Sequence, residues 1–249
     1  MRTLAAATML LTRVPVPVSA GSVSPARAAA LYPVVGAAIG AVVAGVALGA
    51  GGLWPVLIAA TLAVAVEVIL TGALHLDGLA DCADGLAGRD REHRLRIMKD
   101  HSIGVYAAAT LVLHLLLKVA ALSALLEALR PEEMLLLLIG VYAASRGAML
   151  PLARLLPYAR VEGTARGVVE GLGTGQLVTG LALVLVGLAA VVRVHPWAAL
   201  LIALVAGLTT VTIGLLAQRR IGGVTGDVLG ACAELTVLVM LLTGVAVLA

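Results

Sequence analysis

The sequence predicts an all-α, polytopic integral membrane protein of about seven transmembrane helices with an acidic active site at the cytoplasmic rim. Three observations carry that prediction. Of 249 residues, 61% are hydrophobic and only 12% are charged, whereas soluble domains carry about 25% charged residues. Mean hydropathy is +1.11. Seven apolar stretches also approach the length that crosses a bilayer, about 20 residues. A soluble globule of this size could not hide so much Leu, Val and Ala. A soluble enzyme, a disordered chain and a disulfide-stapled secreted domain are therefore excluded. Cys82 and Cys232 match no metal or redox spacing.

The elements follow in order. Arg2, the short apolar run Leu4 to Leu11 and Val18-Ser19-Ala20 imitate a signal peptide. Arg13, Pro15 and Pro17 interrupt that run, so a retained interfacial segment is expected instead. The spans are expected at 31–51, 53–74, 104–126, 134–151, 176–192, 196–217 and 227–249, forming a single membrane-embedded unit over 1–249. Trp54-Pro55, Arg130-Pro131-Glu132-Glu133 and His195-Pro196 separate neighbouring spans. In the first span Gly36-xxx-Gly40 and Gly45-xxx-Gly49 have the spacing that lets helices approach closely.

With seven spans, thirteen basic residues fall on one side: Arg2, Arg13, Arg27, Arg89, Arg91, Arg94, Arg96, Lys99, Arg154, Arg160, Arg166, Arg219 and Arg220. The other side receives two, Arg130 and Arg193, while Lys118 and Arg146 lie within spans. Positive charge gathers on the cytoplasmic side, so the N-terminus and the long 75–103 and 152–175 segments are expected there. The basic residues record orientation, and no nucleic-acid partner is expected.

The densest polar feature runs from His75 to Gly85. Asp77, Asp81 and Asp84 are spaced i, i+4 and i+7 and share one face of a helix. They repel one another, and no Lys or Arg lies within a turn. A hard cation such as Mg²⁺, which favours carboxylate and phosphate oxygens, would neutralise them. A solvated acidic loop is the bland alternative, but Leu, Ala and Gly interleave the acids. His75 is open between ligand, base and polar cap. The run Arg89 to Lys99 can receive phosphates or anchor the chain at a membrane surface. Glu67 and Arg146, both within spans, are costly there unless they have a role. Before the last span Gly222-Gly223-Val224-Thr225-Gly226-Asp227 leads to Glu234. Asp227 suits an N-cap, but Glu234 lies on the same face, so both are expected in the cavity of Asp77, Asp81 and Asp84. His114 and Lys118 form an i, i+4 pair whose role stays open.

These residues resemble the cobalamin synthase family, the adenosylcobinamide-GDP ribazoletransferases, over nearly the whole chain. The resemblance rests on Leu11-Thr12-Arg13-Val14-Pro15-Val16-Pro17 and on Thr71 to Asp81 with Asp84-Gly85. It continues through Ile97-Met98-Lys99-Asp100, Ile103-Gly104 and Ser145-Arg146, and ends in Gly222 to Asp227 with Gly230. His101-Ser102 is a mild departure. The resemblance implies an inner-membrane enzyme of late cobalamin synthesis. It would join adenosylcobinamide-GDP to α-ribazole or its 5′-phosphate, release GMP and require Mg²⁺. The family's acidic metal residues map onto Glu67, Asp77, Asp81, Asp84 and Asp227. Asp77, Asp81, Asp84, His75 and Lys99 become the catalytic candidates. Arg146, Ser145, Arg89, Asp100, Gly223 and Thr225 become those for substrate and phosphate. The resemblance leaves open a homo-oligomer or an association with other corrin-pathway enzymes.

Two rivals are weighed. Asp81 to Arg89 imitates the first half of the CDP-alcohol phosphotransferase signature, with Gly88 for its Ala. Met98, Ser102 and Tyr106 fail its second half. A cation- or proton-coupled transporter would also use intramembrane carboxylates. Such proteins often show repeated halves and midplane sites, and this chain shows no repeat.

Overall fold

The computed structural model describes residues 1–16, 23–100 and 102–249. Pro17, Val18-Ser19-Ala20 and His101, which enter the sequence reading, lie outside the described residues. Among the described residues the regular elements are all helices: α1 Arg2–Leu11, α2 Pro25–Ala29, α3 Tyr32–Gly51, α4 Val56–Thr71, α5 Leu74–Gly85, α6 Arg91–Ile97 and α7 Val105–Ala128 come first. There follow α8 Pro131–Gly147, α9 Met149–Leu155, α10 Arg166–Val169, α11 Thr174–Val194, α12 Pro196–Ile221 and α13 Gly226–Leu248. Six spans are long and apolar enough to cross a membrane: α3, α7, α8 with α9, α11, α12 and α13. Each starts within a few residues of its predicted position.

The stretch expected as the second span departs from the prediction. α4 is only 16 residues long, about 24 Å at 1.5 Å per residue. It ends where Gly72 and Ala73 both take left-handed backbone angles, φ 61° and 57°. The chain turns by 90° there and resumes as α5. Glycine takes this conformation freely. Ala73 has a Cβ, and that backbone costs it about 1–2 kcal/mol. The Gly72 amide donates to the Ile69 carbonyl at 3.2 Å and the Ala73 amide to Val68 at 2.9 Å, closing the end of α4. Arg13 reinforces the corner: its amide donates to the Leu70 carbonyl at 2.8 Å and its side chain lies on Gly72. If α4 crosses the bilayer, α5 runs along the membrane surface.

Small residues set the close crossings. At Gly36 and Gly40 on α3 a Cβ would collide with the Tyr142 and Leu138 carbonyls of α8, so that helix pair is locked. Gly45 and Gly49 meet nothing within 4 Å. The packing role expected for this second pair is absent among the described residues, because both glycines lie on the exposed face of α3, turned away from the buried Val43, Ala44, Ala47 and Ala50. At Gly78 on α5 a Cβ would come within 2.7 Å of the Asp227 carbonyl on α13. That approach carries the acidic helix onto the start of α13.

The basic groups gather at one end of the bundle. Arg91 Nε donates to the Ile221 carbonyl at 2.8 Å and Arg94 Nη1 to Arg220 at 3.3 Å, closing the last turn of α12. Arg160 Nη2 donates to the Met98 carbonyl at 3.1 Å. Three of the thirteen basic residues grouped from the sequence, Arg91, Arg94 and Arg160, are tied in this way.

Candidate active site

Asp77, Asp81 and Asp84 line one chamber of about 460 Å³ together with Lys99, Asp100, Ser102 and Arg160. The i, i+4, i+7 spacing does what it predicts: one face of α5 presents all three acids. Lys99 and Asp100 arrive from the end of α6, and Ser102 donates to Asp100 Oδ1 at 2.7 Å. Among the described residues no ion pair closes Asp77 or Asp81. Burial, then Asp227 and Asp77, push the Asp81 carboxyl up to about 7 against the pull of Arg160. A site that resists ionisation of its own carboxylate favours a counter-cation.

Asp84 has a second task. Its Oδ2 accepts from the Gly104 amide at 2.7 Å and its Oδ1 from Ala107 at 2.9 Å. It therefore caps the start of α7, where free amides favour a carboxylate. Asp84→Ala is expected to lower stability by about 0.5–2 kcal/mol, the usual range for a lost cap. A thermal scan of the purified protein checks this, and an unchanged midpoint would remove the capping role.

Arg160 is the candidate site residue that sequence reasoning missed. Its Nη2 lies 2.6 Å from Asp227 Oδ2. Two backbone bonds bring it there, from the Val224 amide to the Pro157 carbonyl at 2.9 Å and from the Ala159 amide to Val224 at 2.8 Å. They pair segments more than sixty residues apart, so no local pattern could announce them. The cap of α13 is Thr225, whose Oγ1 accepts from the Val228 amide at 3.3 Å and donates to Asp227 Oδ2 at 3.2 Å. Asp227 is thereby freed from the capping role.

Several expected site residues lie elsewhere. Thr225 is fully buried by its cap, and the space a side chain would need at Gly223 is filled by the Pro157 carbonyl. Both shape the turn and do not line the chamber. Arg89 is exposed and outside the chamber lining. His75 is 2% exposed and neither ring nitrogen has a partner. At 100° per residue it falls on the face of α5 opposite the aspartates.

Glu67, Ser145, Arg146 and Glu234 are likewise drawn away, into a buried polar network. Lys118 Nζ donates to Glu67 Oε1 and to Glu234 Oε2, each at 2.9 Å. Tyr142 donates its hydroxyl to Glu67 Oε2 at 2.7 Å, and His114 Nε2 lies 3.0 Å from Glu234 Oε2. Arg146 sits 3.7 Å from Glu67 and 5.1 Å above the Tyr142 ring, with Nη1 donating to Ser145 Oγ at 2.9 Å. The network thus sets two acidic side chains, Glu67 and Glu234, against two basic ones, Lys118 and Arg146. These corrections share one cause: opposite charges in an apolar interior gain more by pairing with each other than by reaching a distant chamber. Glu67 thus has Lys118 and Tyr142 as partners and stands apart from the aspartates, and Ser145 and Arg146 stand apart from any phosphate held by Lys99.

Among the described residues no three His, Cys, Asp or Glu side chains stand ready to hold an ion alone. Mg²⁺ takes one or two carboxylates and completes its shell with water and substrate phosphates. Asp77 and Asp81, unpaired on a chamber that also holds Lys99 and Arg160, supply such a pair.

Fold and chamber together define a polytopic membrane protein with an acid- and base-lined site at one rim. A family model described as cobalamin-5-phosphate synthase matches residues 3–246, and the chain belongs to that family, a group of transferases of cobalamin synthesis. A relative from Chlorobium phaeobacteroides (strain BS1), named adenosylcobinamide-GDP ribazoletransferase, is 42% identical and covers 98% of each chain. One of the same name from Chlorobaculum parvum is 45% identical over 82% of this chain and 80% of its own. Another, from Chlorobaculum tepidum, is 42% identical over 93% and 90%. No solved structure matches the chain.

Proposed function

We propose that the chamber on α5 joins adenosylcobinamide-GDP to α-ribazole or its 5′-phosphate, giving adenosylcobalamin or its 5′-phosphate and GMP. Membership of the family supports the substrates. The single structural observation that carries the site is the unpaired Asp77–Asp81 pair beside Lys99 and Arg160 in one chamber. The ribazole 3′-hydroxyl attacks the phosphorus that bears the cobinamide, a new O–P bond forms, and the bond from that phosphorus to the GMP oxygen breaks. Asp77 and Asp81 would hold Mg²⁺, which supplies charge neutralisation on the diphosphate. Lys99 donates to phosphate oxygens as a point charge. Arg160, oriented by Asp227, presents a planar guanidinium to the same oxygens. A chamber carboxylate accepts the hydroxyl proton, and proximity makes that transfer effective. A transporter reading finds no support, since Lys118 and Arg146 pair with the intramembrane Glu67 and Glu234. Purified membranes given adenosylcobinamide-GDP, ribazole phosphate and Mg²⁺ are expected to yield the coupled product and GMP by mass spectrometry. Absence of the product, or GMP release without it, would contradict the reading.

We place the protein in the bacterial inner membrane with the chamber and the N-terminus facing the cytoplasm. The thirteen-to-two division of basic residues supports this. Reporter fusions at the two ends are expected to fall in opposite compartments, the C-terminal one outside. Matching compartments would mean that α4 does not cross.

A further inference from the structure

A second cavity, of about 260 Å³, lies against the other side of α5. Leu79 and Ala83 of α5, Ile213 and Ala217 of α12, and Val228 and Leu235 of α13 form its apolar walls. Met98 is the one residue that also lines the aspartate chamber, so α5 divides the two spaces. Among the described residues no Asp or Glu lines this cavity, and its charged groups are Arg94 and Arg220. Arg94 Nη1 is held by the Arg220 carbonyl, while Arg94 Nε is buried with no hydrogen-bond partner. Among the described residues neither guanidinium has a carboxylate partner. Leu86 and Leu216, which also line the cavity, are 61% and 47% exposed, so it opens on the apolar flank of the bundle.

We propose that this cavity is a binding site for an anionic phospholipid, taking an acyl chain between α5, α12 and α13 and the headgroup phosphate on Arg94 and Arg220. The walls suit a hydrocarbon chain, because among the described residues they offer only Cys82, Thr110 and the two arginines besides apolar groups and glycine. The charge suits an anion, because Arg94 and Arg220 both line the cavity and, among the described residues, no carboxylate does. The unpartnered Nε is a donor that a phosphate oxygen satisfies, and a buried donor left empty is costly. A substrate base is disfavoured: α5 stands between this cavity and the aspartates, so a nucleoside held here could not reach them. The headgroup would then lie at the basic end of the bundle, at the depth where headgroups lie. A lipid seated here also touches α6, whose end delivers Lys99 to the chamber.

The test uses the full-length protein, delipidated in detergent and exchanged with phosphatidylglycerol or phosphatidylcholine of identical chains, with retained lipid counted by native mass spectrometry. One tightly retained phosphatidylglycerol is expected, preferred over phosphatidylcholine by about thirtyfold for two guanidiniums and about fivefold after loss of one. Arg220→Gln is the safer variant, since that side chain makes no bond within the described protein. Arg94→Gln with Arg220→Gln should abolish the preference. Ala217→Leu should fill the cavity and lower retention of both lipids. Soluble glycerol phosphate should not displace the lipid; displacement would reduce the site to a phosphate site and overturn the acyl-chain assignment. Equal retention of the two lipids by the unmodified protein, or an unchanged preference in Arg220→Gln, would overturn the proposal.

Discussion

Asp81→Asn is expected to slow turnover about a hundred- to a thousandfold, the effect of removing about 3–4 kcal/mol of charge stabilisation from a transition state. Asp77→Asn is expected to act alike. The change keeps the shape of the side chain and deletes its charge, so the loss tests ligation and not packing. Stability should move the other way. Burial and its acidic neighbours raise the Asp81 carboxyl to about 7, so the fold disfavours the ionised group. Its proton-linked stabilisation is complete below the ordinary carboxylate range and is lost as pH rises through about 7. Without Mg²⁺ at pH 8, Asn therefore leaves the thermal midpoint equal or higher. Activity and stability then separate, whereas in Asp84→Ala, which also loses the cap of α7, both fall together. An Asp81→Asn protein that turns over near the normal rate, with a normal Mg²⁺ midpoint, would remove this residue from the chemistry.

The second large effect is expected in the interior. Lys118→Met leaves Glu67 and Glu234 buried and facing each other without their shared cation. Removing one partner of a buried ion pair costs about 3–5 kcal/mol, while replacing a whole set by apolar or neutral groups is often tolerated. The single variant should unfold early in a thermal scan in detergent. Adding Glu234→Gln, which leaves Glu67 with Arg146 as its counter-charge, should restore most of the loss. A Lys118→Met protein as stable as the parent would show that the network carries no stability.

Much of this arrangement could be read along the chain, and the failures have physical causes. The apolar stretches located the spans because the bilayer imposes a length on each of them. The break at Gly72-Ala73 was harder to see, since Thr71 to Leu76 remains mostly apolar and only one glycine marks the corner. The shared face of Asp77, Asp81 and Asp84 follows from helical periodicity alone. So does the turning away of His75, which the same 100° step places opposite them. Glu234 shows where periodicity stops helping. Seven residues keep it on the face of Asp227 but move it about 10 Å along the axis, from the rim to the depth of Lys118. Its partners come from α7, and no spacing within α13 reveals them. Arg160 entered the reading only as one positive charge among thirteen, because its place depends on the bridge between Tyr158 and Val224.

The central claim is that the metal and the diphosphate meet on α5, at the rim, and not in the buried network around Lys118. Substituting Fe²⁺ for Mg²⁺ in the reconstituted protein with adenosylcobinamide-GDP, then adding ascorbate and peroxide, oxidises and cuts the chain beside the ion. Peptide mass spectrometry is expected to place the damage in residues 77–84 and 98–100, with oxidation of Met98, and excess Mg²⁺ should suppress it. Damage centred on His114, Tyr142 and Glu234, with α5 intact, would contradict the account.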